Sequence, residues 1–237
     1  MTDQESASME ERIGRIRERM AAAALRAGRS PDEVELIAVS KNHGPDRIRE
    51  AARCGLRIFG ENRVQEARAK MPECPGTLSW HLIGHLQRNK AAQAVALFDR
   101  IHSVDSVKLL EALNQACDQA GKSMDIFLEV NVSGEGTKFG FSPEAVPDVL
   151  RHGGDWPRLV MVGLMTIPPF TQDPEGARPH FRQLRAYQEQ WQQETGIPLE
   201  SLSMGMSHDF EVAIEEGSHW VRIGTAIFGE RSKAGMQ

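Results

Sequence analysis

The chain has 237 residues, 40% of them hydrophobic, and its 28 Lys and Arg residues against 33 Asp and Glu residues give a net charge of −5. This mild acidity argues against a general nucleic-acid binder, which needs clustered positive charge. The three cysteines, Cys54, Cys74 and Cys117, are far apart and form no CxxC pair. That pattern excludes a disulfide framework and a spaced zinc site, and it fits a reducing cytosol.

Short runs of β-branched and apolar residues recur along the whole chain. Their near-continuous apolar character predicts parallel strands that are covered on both faces. The runs are ELIAVSK (35–41), LRIFGE (56–61), SWHLIG (79–84), DRIHSV (99–104), MDIFLEVNV (124–132), RLVMVGLMTI (158–167), SLSMGM (201–206) and HWVRIGTAIFG (219–229).

Helical patterns fill the intervals between these runs. One predicted helix begins at Pro45, where the missing N–H costs nothing, and another ends at Gly121. A third covers 178–196, where apolar residues are spaced by three and four. An additional amphipathic helix is expected over roughly residues 6–28, before the first strand.

This alternation predicts the fold class and the location. Eight strand–helix units with short connections favour a single (β/α)8 TIM barrel with an extra N-terminal helix. A doubly wound open sheet is the main alternative, because strand counting from one sequence is error-prone. We expect one domain over 1–237, in which residues 1–30 hold the N-terminal helix. Since no stretch has the apolar core of a signal peptide or the length of a membrane span, we expect a cytoplasmic protein.

Lys41 is the first candidate for chemistry, because barrels carry functional groups at the carboxyl ends of their strands. By period-two alternation it shares a face with Ile37 and Val39, so its amine should be partly desolvated and its pKa lowered. Such an amine can attack an aldehyde and form an imine. The alternative is a lysine that simply extends into solvent.

Ser207, Gly224 and Thr225 follow the last two predicted strands and predict a phosphate site. Ser207 is expected to cap the next helix, whose free N–H groups can bind phosphate. Gly224 permits close backbone approach and Thr225 adds a hydroxyl, where barrels commonly bind phosphate. The alternative is an ordinary capping serine and a packing glycine. Together with Lys41, these residues fit a phosphorylated aldehyde such as pyridoxal 5′-phosphate (PLP) or a sugar phosphate.

Arg222 interrupts an apolar strand and must either face a site or find a partner, because an unpaired buried guanidinium is very costly. Beside a pyridine nitrogen, its permanent charge would disfavour protonation of the ring. A structural ion pair with Glu61 or Glu129 is the alternative.

Three other patterns are weak. His81 and His85 have the spacing of a helical metal pair but straddle a predicted strand end, so shared ligation is not expected. The run 207–209, Ser-His-Asp, is no catalytic triad, because sequence neighbours do not face one another. The glycines around Lys138 resemble a phosphate loop only loosely, and a flexible loop with one lysine is the simpler interpretation.

Seven motifs in combination resemble one family, the pyridoxal-phosphate homeostasis proteins, single-domain relatives of the alanine racemase barrel. They are AVSK (38–41), FGENRVQEA (59–67), WHLIGHLQRNK (80–90), LEVNVSGEGTKFGF (128–141), VGLMTI (162–167), LSMGMSHDFEVAIEEGS (202–218) and VRIGTAIFGER (221–231). The resemblance covers nearly all of the chain after about residue 30.

The resemblance implies a role for each matching residue. It implies PLP held as a Schiff base on Lys41, with phosphate contacts at Ser207, Gly224 and Thr225. It places Arg222 near the ring nitrogen and Asn62 at the pocket wall, and it gives Lys138 a secondary role in handling the cofactor. In three places the chain departs from the family pattern, with Arg63 for tyrosine, Arg88 for serine and His219 for threonine.

The family is regarded as lacking ordinary turnover, and the resemblance therefore implies a protein of vitamin B6 homeostasis that holds PLP, with no catalytic residue. The spacing of the cysteines and histidines separately predicts no metal site. A racemase of this lineage needs a tyrosine from a second domain, whereas the one tyrosine here, Tyr187, is spaced as part of a helix face. The alternatives are a low-rate PLP-dependent amino-acid racemase and a lysine-imine aldolase. PLP-dependent apo-enzymes are expected partners, nucleic acid and membrane are not, and the protein is expected to be a monomer or a weak dimer.

Overall fold

A computed structural model describes residues 7–135 and 139–229. In those ranges, eight parallel strands close a barrel in chain order, and the last strand pairs with the first. The strands are β1 (Glu35–Val39), β2 (Ile58–Glu61), β3 (Ser79–Leu82), β4 (Arg100–Val104), β5 (Met124–Glu129), β6 (Leu159–Met165), β7 (Ser201–Met206) and β8 (Trp220–Ile223). The predicted TIM barrel is confirmed, and the open sheet is excluded.

Helices surround the barrel and alternate with its strands. They are α1 (Met9–Arg26), α2 (Pro45–Arg53), α3 (Val64–Lys70), α4 (Ala91–Leu97), α5 (Val107–Ala120), α6 (Val146–Arg151), α7 (Arg178–Thr195), α8 (Phe210–Glu215) and α9 (Thr225–Phe228). The predicted N-terminal helix is therefore confirmed as α1. None of the helices in the described ranges is long and apolar enough to cross a membrane.

Local sequence explains where the longer helices begin and end. Ser8 caps α1 in a capping box, in which its hydroxyl accepts from the Glu11 N–H and the Glu11 carboxylate accepts from the Ser8 N–H. Helices α5 and α7 end at Gly121 and Gly196, which adopt the left-handed backbone conformation that terminates helices. Tyr187 lies on α7 and stacks on Trp191 with ring centroids 4.7 Å apart, so the predicted helix-packing role is confirmed.

Most of the predicted strands were longer than the observed ones, and two of these differences affect the site. The first strand ends at Val39, and Lys41 lies in the following turn. The run 219–229 contains two elements, because the strand stops at Ile223 and the short helix α9 follows Gly224. Apolar residues continue through both elements, so periodicity alone did not show the break.

The main core lies between the barrel and its surrounding helices, whereas Ile37, Val39 and Ile83 form a separate, smaller apolar cluster. Helix α1 packs against the short helix α9, where the Arg12 guanidinium donates to the Ile227 carbonyl at 2.8 Å. This contact holds α9 in place beside the barrel mouth. The single-domain organisation stays a prediction, and Lys138 lies outside the described residues.

Candidate functional site

The six residues singled out in the sequence lie around one cavity at the carboxyl ends of the strands. Lys41, Asn62, Ser207, Arg222, Gly224 and Thr225 all line it, and its volume is about 270 Å³. They come together because β7, β8, β1 and β2 are consecutive around the barrel. The volume is close to the lower end of the range for small-molecule sites, roughly 300–1,000 Å³.

Strand register sets the β1–β2 side of the cavity. Val39 pairs with Gly60, so Lys41 and Asn62 follow neighbouring strand ends at the same height. Gly84 packs against the Asn62 backbone so closely that a Cβ at residue 84 would lie 2.6 Å from the Asn62 carbonyl oxygen. The buried Oδ1 of Asn62 has no hydrogen-bond partner in the described part of the chain. Asn62 therefore brings to the cavity wall a side chain whose amide oxygen has an unused hydrogen-bonding capacity.

The β7–β8 side differs from the prediction at Ser207. Asp209, not Ser207, occupies the N-cap of α8, and its Oδ1 accepts from the Met206 N–H at 2.6 Å. The Ser207 hydroxyl instead accepts from the Gly224 N–H at 3.2 Å and so joins the two loops that end β7 and β8. The cap prediction is wrong because α8 begins only at Phe210, after a turn over 207–209, so Ser207 lies too far before the helix to cap it.

Arg222 is 4% exposed, and its guanidinium is held by neutral oxygens. Nη1 donates to the backbone carbonyl and the hydroxyl of Ser203, both at 2.8 Å, and Nη2 donates to the Thr166 carbonyl at 2.9 Å. Burial lowers the pKa of Arg222 to about 10, while the charge of Glu129 opposes this shift. The group is therefore charged at neutral pH, and its direct partners are not the carboxylates considered in the sequence.

A hydrogen-bond chain continues from Arg222 into the barrel. Because the Ser203 hydroxyl accepts from Arg222, its own proton is left for Nδ1 of His102, 2.8 Å away. His102 then carries its proton on Nε2 and donates to Nδ1 of His81 at 3.1 Å. Burial lowers the pKa of His81 to about 3 and that of His102 well below 6.5, so both rings are neutral. This chain fixes the orientation of the guanidinium at the cavity floor.

Sequence reasoning missed this chain and several residues of the cavity wall. Histidines inside apolar strands were the available signal, since a buried imidazole needs partners. The wall also contains residues that were not proposed for the site: Val39, His43, Ile83, Ile167, Met206, His208 and Gly229.

The two histidines considered as a metal pair have separate partners. Nδ1 of His81 faces His102 inside the barrel, whereas Nδ1 of His85 pairs with Asp105 at 2.8 Å. Each of the two rings has its own partner, so the four-residue spacing does not indicate that they share a metal ion.

The three departures from the family pattern lie outside the cavity lining. Arg63 and Arg88 are exposed at the starts of α3 and of a short 3-10 turn. His219 precedes β8, at the opposite end of that strand from the cavity, and its Nδ1 accepts from the Leu202 N–H.

The charge of the cavity favours an anionic ligand. Two basic side chains, Lys41 and Arg222, line it, and no carboxylate is among the described residues of its wall. A primary amine beside an anion-attracting pocket suits a phosphorylated aldehyde, because the amine can bond to the carbonyl carbon while the phosphate is bound elsewhere.

Comparison with known proteins identifies the family. Residues 12–232 match the family model described as alanine racemase, N-terminal domain. The chain is 44% identical over 222 residues to the pyridoxal phosphate homeostasis protein of Aquifex aeolicus, covering 93% of this chain and 97% of that protein. The corresponding Pseudomonas aeruginosa protein is 41% identical over 222 residues, covering 93% of this chain and 95% of that protein.

A solved structure agrees with this match. PipY of Synechococcus elongatus, determined with PLP bound, superposes with a TM-score of 0.78 at 41% identity, covering 90% of this chain and all of that chain. The chain therefore belongs to the family of pyridoxal phosphate homeostasis proteins, as its motifs predicted.

Proposed function

We propose that this protein binds PLP and holds it on Lys41 as part of vitamin B6 homeostasis. The observation that carries the proposal is the convergence of Lys41, Ser207, Arg222, Gly224 and Thr225 on one cavity. The PipY structure with PLP bound supports it, since that protein is similar over its full length.

Each side chain of the cavity has a distinct task in this proposal. The Lys41 amine bonds to the aldehyde carbon of PLP and water leaves. Ser207, Gly224 and Thr225 bind the phosphate, and Arg222 faces the ring nitrogen. Asn62 fits the cofactor because it lines the cavity and its buried amide oxygen has no donor in the described ranges.

We infer that the protein stores PLP and does not turn over amino acids. PLP in enzymes acts as an electron sink, most strongly when its ring nitrogen is protonated. A charged Arg222 at that nitrogen opposes protonation, and Ser203, Thr166 and His102 hold the guanidinium rigidly in place. Tyr187 lies on α7 and stacks on Trp191, and it is not among the described residues that line the cavity.

A PLP titration tests the proposal. Purified protein should acquire a visible chromophore with PLP, Lys41→Ala should lose it, and the exposed control Lys108→Ala on α5 should retain it. Racemisation assays with several amino acids then distinguish storage from low-rate catalysis. Robust turnover that depends on Lys41 would overturn the storage function.

We also propose that the protein transfers its bound PLP to apo-enzymes, because the bond between PLP and Lys41 is reversible. Incubation of the PLP-loaded protein with a PLP-dependent apo-enzyme should restore that enzyme faster than an equal concentration of free PLP if transfer is direct. Location in the cytoplasm, a monomeric or weakly dimeric state and the single-domain organisation stay predictions.

A further inference from the structure

A buried ion cluster lies under the turn that carries Lys41. Its centre is Lys70, the last residue of α3, which is 5% exposed. The Lys70 Nζ lies 2.6 Å from Oε1 of Glu61 and 2.9 Å from Oε1 of Glu66. Buried charges of this kind are retained only where pairing and hydrogen bonds compensate for lost hydration.

The cluster contacts the backbone on both sides of Lys41. Nζ of Lys70 donates to the Ser40 carbonyl at 2.8 Å and to the His43 carbonyl at 3.3 Å. Oε1 of Glu66 accepts from the Asn42 N–H at 2.5 Å. These side chains therefore hold the residues before and after Lys41.

A second contact fixes the end of β1. The Ser40 hydroxyl donates to Oε1 of Glu61 at 2.5 Å, the same oxygen that faces Lys70. Strand β2 and helix α3 thus act together on the turn that follows β1.

The turn needs such support because its backbone is unusual. Asn42 has φ of +63°, and it is the only residue other than glycine with a positive φ in the described ranges. Left-handed conformations of this kind cost free energy and persist where surrounding contacts determine them. Without these contacts, the turn would relax and the Lys41 side chain would leave its present direction.

We propose that Lys70 is a positioning residue that, through Glu61 and Glu66, fixes the Lys41 turn so that the amine of Lys41 meets a bound aldehyde. The inference rests on the proposed function. The step is the attack of the neutral Lys41 amine on the aldehyde carbon, with formation of the C=N bond and loss of the aldehyde oxygen as water. Lys70 is itself a poor candidate for that step, since its ammonium is enclosed by Glu61, Glu66 and the Ser40 carbonyl.

Two probes separate positioning from general damage to the pocket. PLP reports both binding and bond formation, whereas pyridoxine 5′-phosphate has an alcohol in place of the aldehyde and reports binding alone. In Lys70→Met, the rate of bond formation measured by stopped-flow absorbance should fall at least about tenfold. Affinity for pyridoxine 5′-phosphate should stay unchanged.

Glu66→Ala provides a milder second variant if Lys70→Met fails to fold. It removes the acceptor for the Asn42 N–H and leaves the pair between Lys70 and Glu61 in place. It should also slow bond formation, while the matched control Glu111→Ala, on the exposed face of α5, should not.

The inference is overturned if both Lys70→Met and Glu66→Ala form the bond at the wild-type rate. It is also overturned if, in both variants, the affinity for pyridoxine 5′-phosphate falls by the same factor as the rate of bond formation with PLP. Borohydride trapping of PLP on the wild-type protein distinguishes a failure of the proposed function from a failure of the Lys70 role. If PLP is not trapped on wild-type Lys41, the proposed function fails, whereas trapping with no effect of the variants refutes only the role of Lys70.

Discussion

Replacing Glu129 by glutamine should stabilise the ligand-free protein, and the gain should depend on pH. Glu129 ends β5 and is 7% exposed. Burial, reinforced by the charge of Asp105, raises the pKa of Glu129 from 4.5 to about 7, although Arg222 opposes the shift. At pH 8 the folded protein must therefore keep an ionised carboxylate in a poorly hydrated place.

The size of the effect follows from linkage between protonation and folding. Between pH 4.5 and 7 the folded state binds more protons at Glu129 than the unfolded state does, so stability from this group falls as the pH rises. Each pH unit is worth about 1.4 kcal/mol, and the full interval is therefore worth about 3 kcal/mol. Glu129→Gln removes this cost at pH 8, whereas at pH 4 both proteins carry a neutral group and should differ little.

Urea unfolding of the ligand-free proteins at pH 8 and pH 4 measures this difference. Glu144→Gln, at an exposed position, is the matched control and should change stability little at either pH. A gain of the same size at both pH values, or a loss at pH 8, would show that the effect does not come from ionisation of Glu129.

Three further changes test other parts of the site. Gly84→Ala should cost about 1–3 kcal/mol and displace Asn62, because the new Cβ would lie 2.6 Å from its carbonyl oxygen; an unmoved Asn62 in a crystal structure of the variant contradicts this. Ser207→Ala should cost about 1 kcal/mol by removing the acceptor for the Gly224 N–H, and should weaken PLP affinity in a titration; unchanged affinity would argue against a phosphate site there. The buried His102 ring has a pKa well below 6.5, so as the pH falls below 6.5 the unfolded chain binds a proton at His102 and the folded protein does not. The free energy of unfolding should therefore decrease by about 1.4 kcal/mol for each unit by which the pH falls. Urea unfolding across this range should show that His102→Gln removes this slope, and an unchanged slope would contradict a neutral buried ring.

The fold could be predicted from the sequence because strand and helix patterns alternate eight times and each pattern is set locally. Pro45 begins α2 and Gly121 terminates α5, as their backbone preferences require. Barrel geometry then brings the strand ends together, which is why the sequence alone places Lys41 and Arg222 at one site.

The remaining features depend on contacts between segments that are distant in sequence. Nothing local to Ser207 shows that its hydroxyl accepts from the Gly224 N–H, since that contact forms only when the loops after β7 and β8 come together. The Lys70 cluster was missed for the same reason. A lysine at the end of a charged helix normally indicates a solvated side chain, and only the packing of α3 against the turn after β1 buries it.

Lys41 is the residue that we propose to hold PLP. Borohydride reduction of the PLP-loaded protein, followed by peptide mass spectrometry, tests it most directly because it converts the reversible bond into a permanent label. We expect the reduced pyridoxyl phosphate group on the peptide that contains Lys41 and no label in Lys41→Ala. Labelling at Lys138 with Lys41 unmodified, or no label on the wild-type protein, would show that Lys41 does not hold PLP.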